Sequence, residues 1–176
     1  VIDPFGCTCL IAADVEAAGG VVLAEEVRDI RFADGHVREV ITDRASHPVD
    51  RLLVSAGAWS RRITRMLGVD AMPDTERGYH VQLNGVQTGL RRGLLHRDFE
   101  MGINQMRDGL RIAGTVEFAG LDAAPDYRRT EVMLRRTLSV MRDLEPVDET
   151  TVSHWMGFRP TMPDYLPVIG EAPGLD

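Results

Sequence analysis

Lysine is absent from this sequence: all 20 basic residues are arginine. Neither a Schiff-base lysine nor a P-loop lysine can therefore operate among these residues. Cysteine is scarce, and Cys7 and Cys9 are too few for a disulfide framework or a zinc site. At i and i+2 they point to different sides of a helix. They are expected to be small buried apolar side chains in a reducing compartment. No apolar run approaches the ~20 residues of a membrane span, and no basic segment with a following apolar stretch marks a leader. Basic charge is outnumbered: 27 acidic residues give a formal net charge of −7, which argues against nucleic acid as a partner. The five histidines (His36, His47, His80, His96 and His154) show neither metal spacing nor a serine or cysteine nucleophile context, so each is expected to be structural. Gly-x-Gly occurs nowhere.

What remains is enough to fold. The chain has 176 residues, 44% of them hydrophobic, which suits one domain to one and a half with a real core. A start on Val1, directly in front of a helix, reads as a piece of a longer polypeptide. Asp3-Pro4 is an N-cap followed by a first helical residue, predicting a helix to about Ala18 that stops at Gly19-Gly20. Residues 21–24 and 51–54 read as short buried strands. Between them, 27–32 and 37–42 flank an Asp34-Gly35 hairpin signal. A short helix follows from Trp59 to Leu67. Alternation over 78–83 predicts a strand with Tyr79, Val81 and Leu83 on one face. Residues 85–95 read as a loop, and 99–106 with 110–118 as a second hairpin. Residues 126–144 keep the spacing of an amphipathic helix whose stripe is core packing, and 151–158 form a last strand. The fold class is α+β: a mixed, largely antiparallel sheet with flanking helices.

Three places could carry chemistry. In 52–59 an apolar strand ends in Ser55-Ala56-Gly57-Ala58 before a helix. Small residues at a strand's carboxyl end let a ligand approach the backbone, although many strand–helix turns need a glycine for geometry alone. In Trp155-Met156-Gly157-Phe158-Arg159-Pro160, alternation puts Trp155, Gly157 and Arg159 on one face. Gly157 would leave an empty volume between an aromatic wall and a guanidinium fork, suited to a small carboxylate. The alternative is an arginine paired with an acid at a sheet edge, and Pro160 should end the strand. In the second hairpin, Leu110, Ile112, Gly114, Val116 and Phe118 are expected to share the apolar face. Glu117, opposite, is expected to be a structural ion-pair residue.

In order, Val54-Ser55-Ala56-Gly57-Ala58-Trp59, Arg77-Gly78-Tyr79, Gly114-Thr115-Val116-Glu117, Trp155 to Pro160, Pro163-Asp164-Tyr165-Leu166-Pro167 and Ile169-Gly170 resemble the D-amino-acid oxidase/dehydrogenase superfamily of FAD-dependent oxidoreductases. The resemblance implies part of an FAD-binding α/β domain (1–72), a substrate-binding domain (73–159) and a return segment (160–176). It implies oxidation of a D-amino acid or related amine by hydride transfer to the flavin. Ser55, Ala56, Gly57, Trp59 and Gly170 match the cofactor-binding segments. Arg159 matches the carboxylate-gripping arginine, with Gly157, Trp155 and Tyr79 beside it. No general acid or base and no metal ligand is implied. The resemblance leaves open a membrane or electron-acceptor partner and a homo-oligomer, with a cytoplasmic location or one at the inner membrane face.

Members of that superfamily open with GxGxxG, whose amides and helix N-terminus hold the pyrophosphate. They also carry a glycine-rich segment after the final Ile-Gly. Neither is present here, so the chain is expected to be an internal fragment, inactive alone and without FAD. The competing expectation is a non-catalytic carboxylate-binding or subunit-interaction domain.

Overall fold

The computed structural model describes residues 3–70, 74–144 and 148–174. The chain forms two compact units, residues 1–74 with 161–176, and residues 75–160.

The first unit opens with helix α1 (Pro4–Ala17), where the Asp3 carboxylate accepts the Gly6 amide at 3.2 Å and Pro4 takes the first turn. None of its residues is buried. Its small residues run all round, so no apolar stripe forms. Cys7 and Cys9 are consequently exposed, contrary to expectation. Strands β1 (Val27–Ala33) and β2 (His36–Thr42) form the expected hairpin. Asp34 and Gly35 have φ of 54° and 78°, as a type I′ turn demands. A short β3 (Ser46–Pro48) completes a three-stranded sheet over Ile30, Val37 and Val40. Glu25 ties it together by accepting from the Thr42 hydroxyl (2.6 Å) and pairing with His47 (2.8 Å). Those hydrogen bonds hold its carboxyl below the usual range. Residues 21–24 and 51–54 are not strands, and Val21 and Leu53 are exposed. Apolar runs read as strands only where a neighbour supplies the ladder, and among the described residues neither run is paired. A 3₁₀ turn (Gly57–Trp59) leads into helix α2 (Ser60–Met66), closed by Gly68 at φ 75°.

The second unit is a five-stranded sheet in the order β5-β6-β7-β4-β8. Its strands are β4 (Asp74–Asn84), β5 (Leu94–His96), β6 (Met101–Met106), β7 (Gly109–Phe118) and β8 (Val152–Thr161). The pairs β4–β7, β5–β6 and β6–β7 are antiparallel. One face packs on helix α3 (Arg128–Val140) through Tyr79, Val81, Leu83, Met101, Ile103, Leu110, Ile112 and Met133. Two details depart from alternation. First, the β4–β7 register slips at Thr115, so that Tyr79 opposes Gly114 while Gly78 opposes Val116. A bulge of one residue exchanges the faces beyond it. Glu117 thus joins the helix-covered face, and Val116 and Phe118 are exposed instead of buried. Second, β8 runs through Pro160 to Thr161. It is an edge strand, where the missing amide costs no ladder bond.

Candidate functional site

Beneath α3, the sheet face holds a polar network. Arg77 is fully buried, donating from Nε to the Gly120 carbonyl (2.7 Å) and pairing with Glu117 at 3.6 Å. The Tyr79 hydroxyl donates to Glu117 at 2.5 Å and accepts the Asp126 amide at 3.1 Å. Burial, then its bond to Glu117, raises the phenol's pKa. Arg129 pairs with Glu117 at 3.6 Å and donates to the Thr115 hydroxyl at 3.1 Å. This network fastens 120–126 and α3 to the sheet. Glu117 is the structural ion-pair residue expected. Tyr79, expected beside Arg159, has its hydroxyl fully engaged on the other side of the sheet.

The opposite face carries Gly78, His80 and Gln82 of β4, with Val116, Ala113 and Arg111 across from them on β7. The β8 side chains of this face do not stand away from it. The Trp155 indole stacks on the His80 imidazole, centroids 4.8 Å apart and planes at 23°. The Arg159 guanidinium lies over Gly78, where a Cβ would collide with it. Gly157 does not leave the expected void: a Cβ there would overlap the Trp155 ring, which crosses it. Glycine lets the indole lie flat. His80 was missed as a site residue because one histidine on an alternating strand carries no signal. Its Nδ1 is buried without a hydrogen-bond partner, and burial with the charge of Arg111 lowers its pKa to about 4. At neutral pH the ring is neutral. The face thus presents a half-exposed aromatic stack beside a guanidinium, able to hold a carboxylate against a flat apolar wall.

In the first unit, Ser55 and Ala56 precede Gly57, whose φ is 56°. A Cβ at Gly57 or Gly170 would meet nothing within 4 Å, and Trp59 is half-exposed. Short side chains and open space leave this backbone reachable by a flat ligand. Among the described residues no group of three or more His, Cys, Asp or Glu could hold a metal ion. No helix there is long and apolar enough to cross a membrane.

Residues 1–175 match the family model described as "FAD dependent oxidoreductase" (DAO). The chain is 35% identical over 172 residues to a D-amino-acid oxidase of Bradyrhizobium diazoefficiens, covering 97% of this chain and 41% of that protein. It is 29% identical over 140 residues to a glycine oxidase of Pseudomonas putida, covering 80% of this chain and 38% of the other. Among solved structures, L-proline dehydrogenase from P. horikoshii superposes with a TM-score of 0.79 at 17% identity, over 98% of this chain and 48% of that one. Glycine oxidase from Bacillus cereus superposes at 0.76 with 21% identity, over 96% and 46%. The chain spans about two fifths of the length of the curated relatives it matches.

Proposed function

The chain belongs to the DAO family of FAD-dependent oxidoreductases, and on that premise we propose that residues 75–160 bind the substrate of an amino-acid oxidase or dehydrogenase. Residues 1–74 and 161–176 then supply part of its FAD-binding domain. The observation that carries this reading is the Arg159 guanidinium laid over Gly78, beside the Trp155–His80 stack on the sheet face that α3 leaves open. Arg159 takes the substrate carboxylate in its fork, which fixes the Cα by two parallel hydrogen bonds. The indole gives the substrate a wall and excludes water on that side. Neutral His80 holds the indole in place without adding a second charge.

The cofactor fits these residues in part. Ser55, Ala56, Gly57 and Gly170 offer the open, small-residue backbone a flat ring system needs, with Trp59 half-exposed in the same unit, but no Gly-x-Gly is present to cradle a pyrophosphate. When bound, FAD supplies the acceptor for the hydride leaving the substrate Cα. The names of the relatives support an amino-acid substrate, with D-amino acids the class favoured. A cytoplasmic enzyme, working alone or against the inner membrane face with an electron-acceptor partner, is consistent with this reading.

Arg159→Lys in the full-length enzyme tests it. A point charge cannot reproduce a bidentate fork, and a charge-assisted bond is worth about 1.5–3 kcal/mol. Bound FAD should survive while kcat/KM falls at least about tenfold. An amine lacking the carboxylate should lose less, because it never uses the contact. Equal losses for both substrates, or none, would make Arg159 a structural ion-pair residue.

A further inference from the structure

The open sheet face continues past Arg159. Along β4 it runs from Gly78 through His80 to Gln82, and the residue opposite Gln82 is Arg111. Arg111 has its Nε buried without a hydrogen-bond partner, as has His80 at Nδ1. Among the described residues no carboxylate pairs with Arg111, and its charge is close enough to oppose protonation of His80. The acids of this β4 face, Asp74 and Glu76, lie at the other end, beyond Gly78 from His80. To one side of the Trp155–His80 stack the floor is low: Ala113 lies opposite His80, and Gly102 opposite Ala113. A guanidinium without a carboxylate, beside a desolvated neutral ring and a floor of small residues, is placed to receive an anion from outside.

We propose that Arg111 is a second carboxylate anchor, and that the site favours amino acids with an acidic side chain. This rests on Arg159 as the first anchor. Gly78 and Gln82 are four residues apart, about 13 Å along a strand. That spacing is between backbone positions, and a five-carbon dicarboxylate is the probe that tests whether the two long side chains can hold one ligand. A neutral side chain of the same length would leave Arg111 unpaired and its neighbour His80 desolvated for nothing.

Glutarate and pentanoate, equal in length and differing by one carboxylate, separate the two anchors. Their binding to the FAD-loaded full-length enzyme is followed by calorimetry, together with kcat/KM for glutamate and norvaline of the reacting hand. Wild type should bind glutarate at least about tenfold more tightly than pentanoate. In Arg111→Met that preference should collapse to within about twofold, and the glutamate-to-norvaline ratio of kcat/KM should fall in parallel. Arg111→Lys, which keeps the charge, should retain part of it. Equal wild-type affinities, or equal losses of both ligands in Arg111→Met, overturn the second anchor and leave Arg159 untouched. An Arg159→Met enzyme that keeps both ligands overturns the reading of the site and this inference with it.

Discussion

His80 and Gly157 do opposite things for the same indole. His80 supports Trp155 from below, and Gly157 lets the ring cross the strand. Valine at 157 suits a strand by propensity but needs the space the ring occupies. Gly157→Val in the full-length enzyme should therefore leave fold and FAD content intact, shift Trp155 fluorescence and lower turnover at least about tenfold. Equal loss of folding and activity would mark a plain packing glycine. His80 also leaves a signature in pH. Its folded pKa of about 4 lies below the ordinary 6.5. Between those values the unfolded chain takes up a proton that the folded chain refuses. Its contribution is whole above pH 6.5 and declines as pH falls toward 4. The slope cannot exceed ~1.4 kcal/mol per pH unit, and partial exposure makes it smaller. Urea midpoints at pH 7 and pH 5 should draw together in His80→Phe, which keeps the stack and removes the titration.

At the scale of elements, the bulge in β7 decides which side chains reach the site. Thr115 is β-branched and sits at φ 61°, a strained conformation held by the bond from Arg129 to its hydroxyl. Gly114 beside it must be glycine, since a Cβ would lie 2.8 Å from the Glu100 carbonyl oxygen. Deleting Thr115 would remove the extra residue and still leave Val116 opposite Gly78 and Glu117 opposite Arg77, so the faces would not change, and the network is tested at Glu117 itself. Leaving Arg77 buried without its carboxylate costs about 3–5 kcal/mol, so Glu117→Leu should unfold residues 75–160 or lower their melting point sharply. Thr115→Ser, which keeps the hydroxyl, should cost little. The bulge was not legible in the sequence because strict alternation through Leu110–Phe118 looks complete on its own. Only the partner strand reveals that one residue is extra. The hairpin turns, the N-cap at Asp3 and the stripe of α3 were legible, since each rests on residues within a few positions. The failures at 21–24 and 51–54 share one cause: strand character there depends on a neighbour. The face shared by Trp155, Gly157 and Arg159 was legible, but the ring lying over Gly157 was not, because alternation gives a face and no rotamer.

For the whole molecule, the two units differ in how much they bury. Residues 75–160 close a core under α3, whereas α1 and the apolar segments around Val21, Leu53 and Ile169 are exposed. Apolar surface on that scale binds other apolar surface. The 176-residue chain purified alone should be colourless, bind FAD weakly or not at all, and enhance the fluorescence of an apolar dye. Stoichiometric flavin absorbance on the isolated chain would show that these residues hold the cofactor without a glycine cradle.

The sheet order carries one more consequence. The chain passes into residues 75–160 along β4 and out along β8, and these strands are neighbours. Once that unit has folded, its two ends are held a strand's width apart, roughly 5 Å. To the flanking unit, an insertion of this length then costs the closure entropy of a tight hairpin instead of a long loop. The inserted piece has contacts of its own to fold on, and once folded it works as a clasp on the two chain segments that leave it.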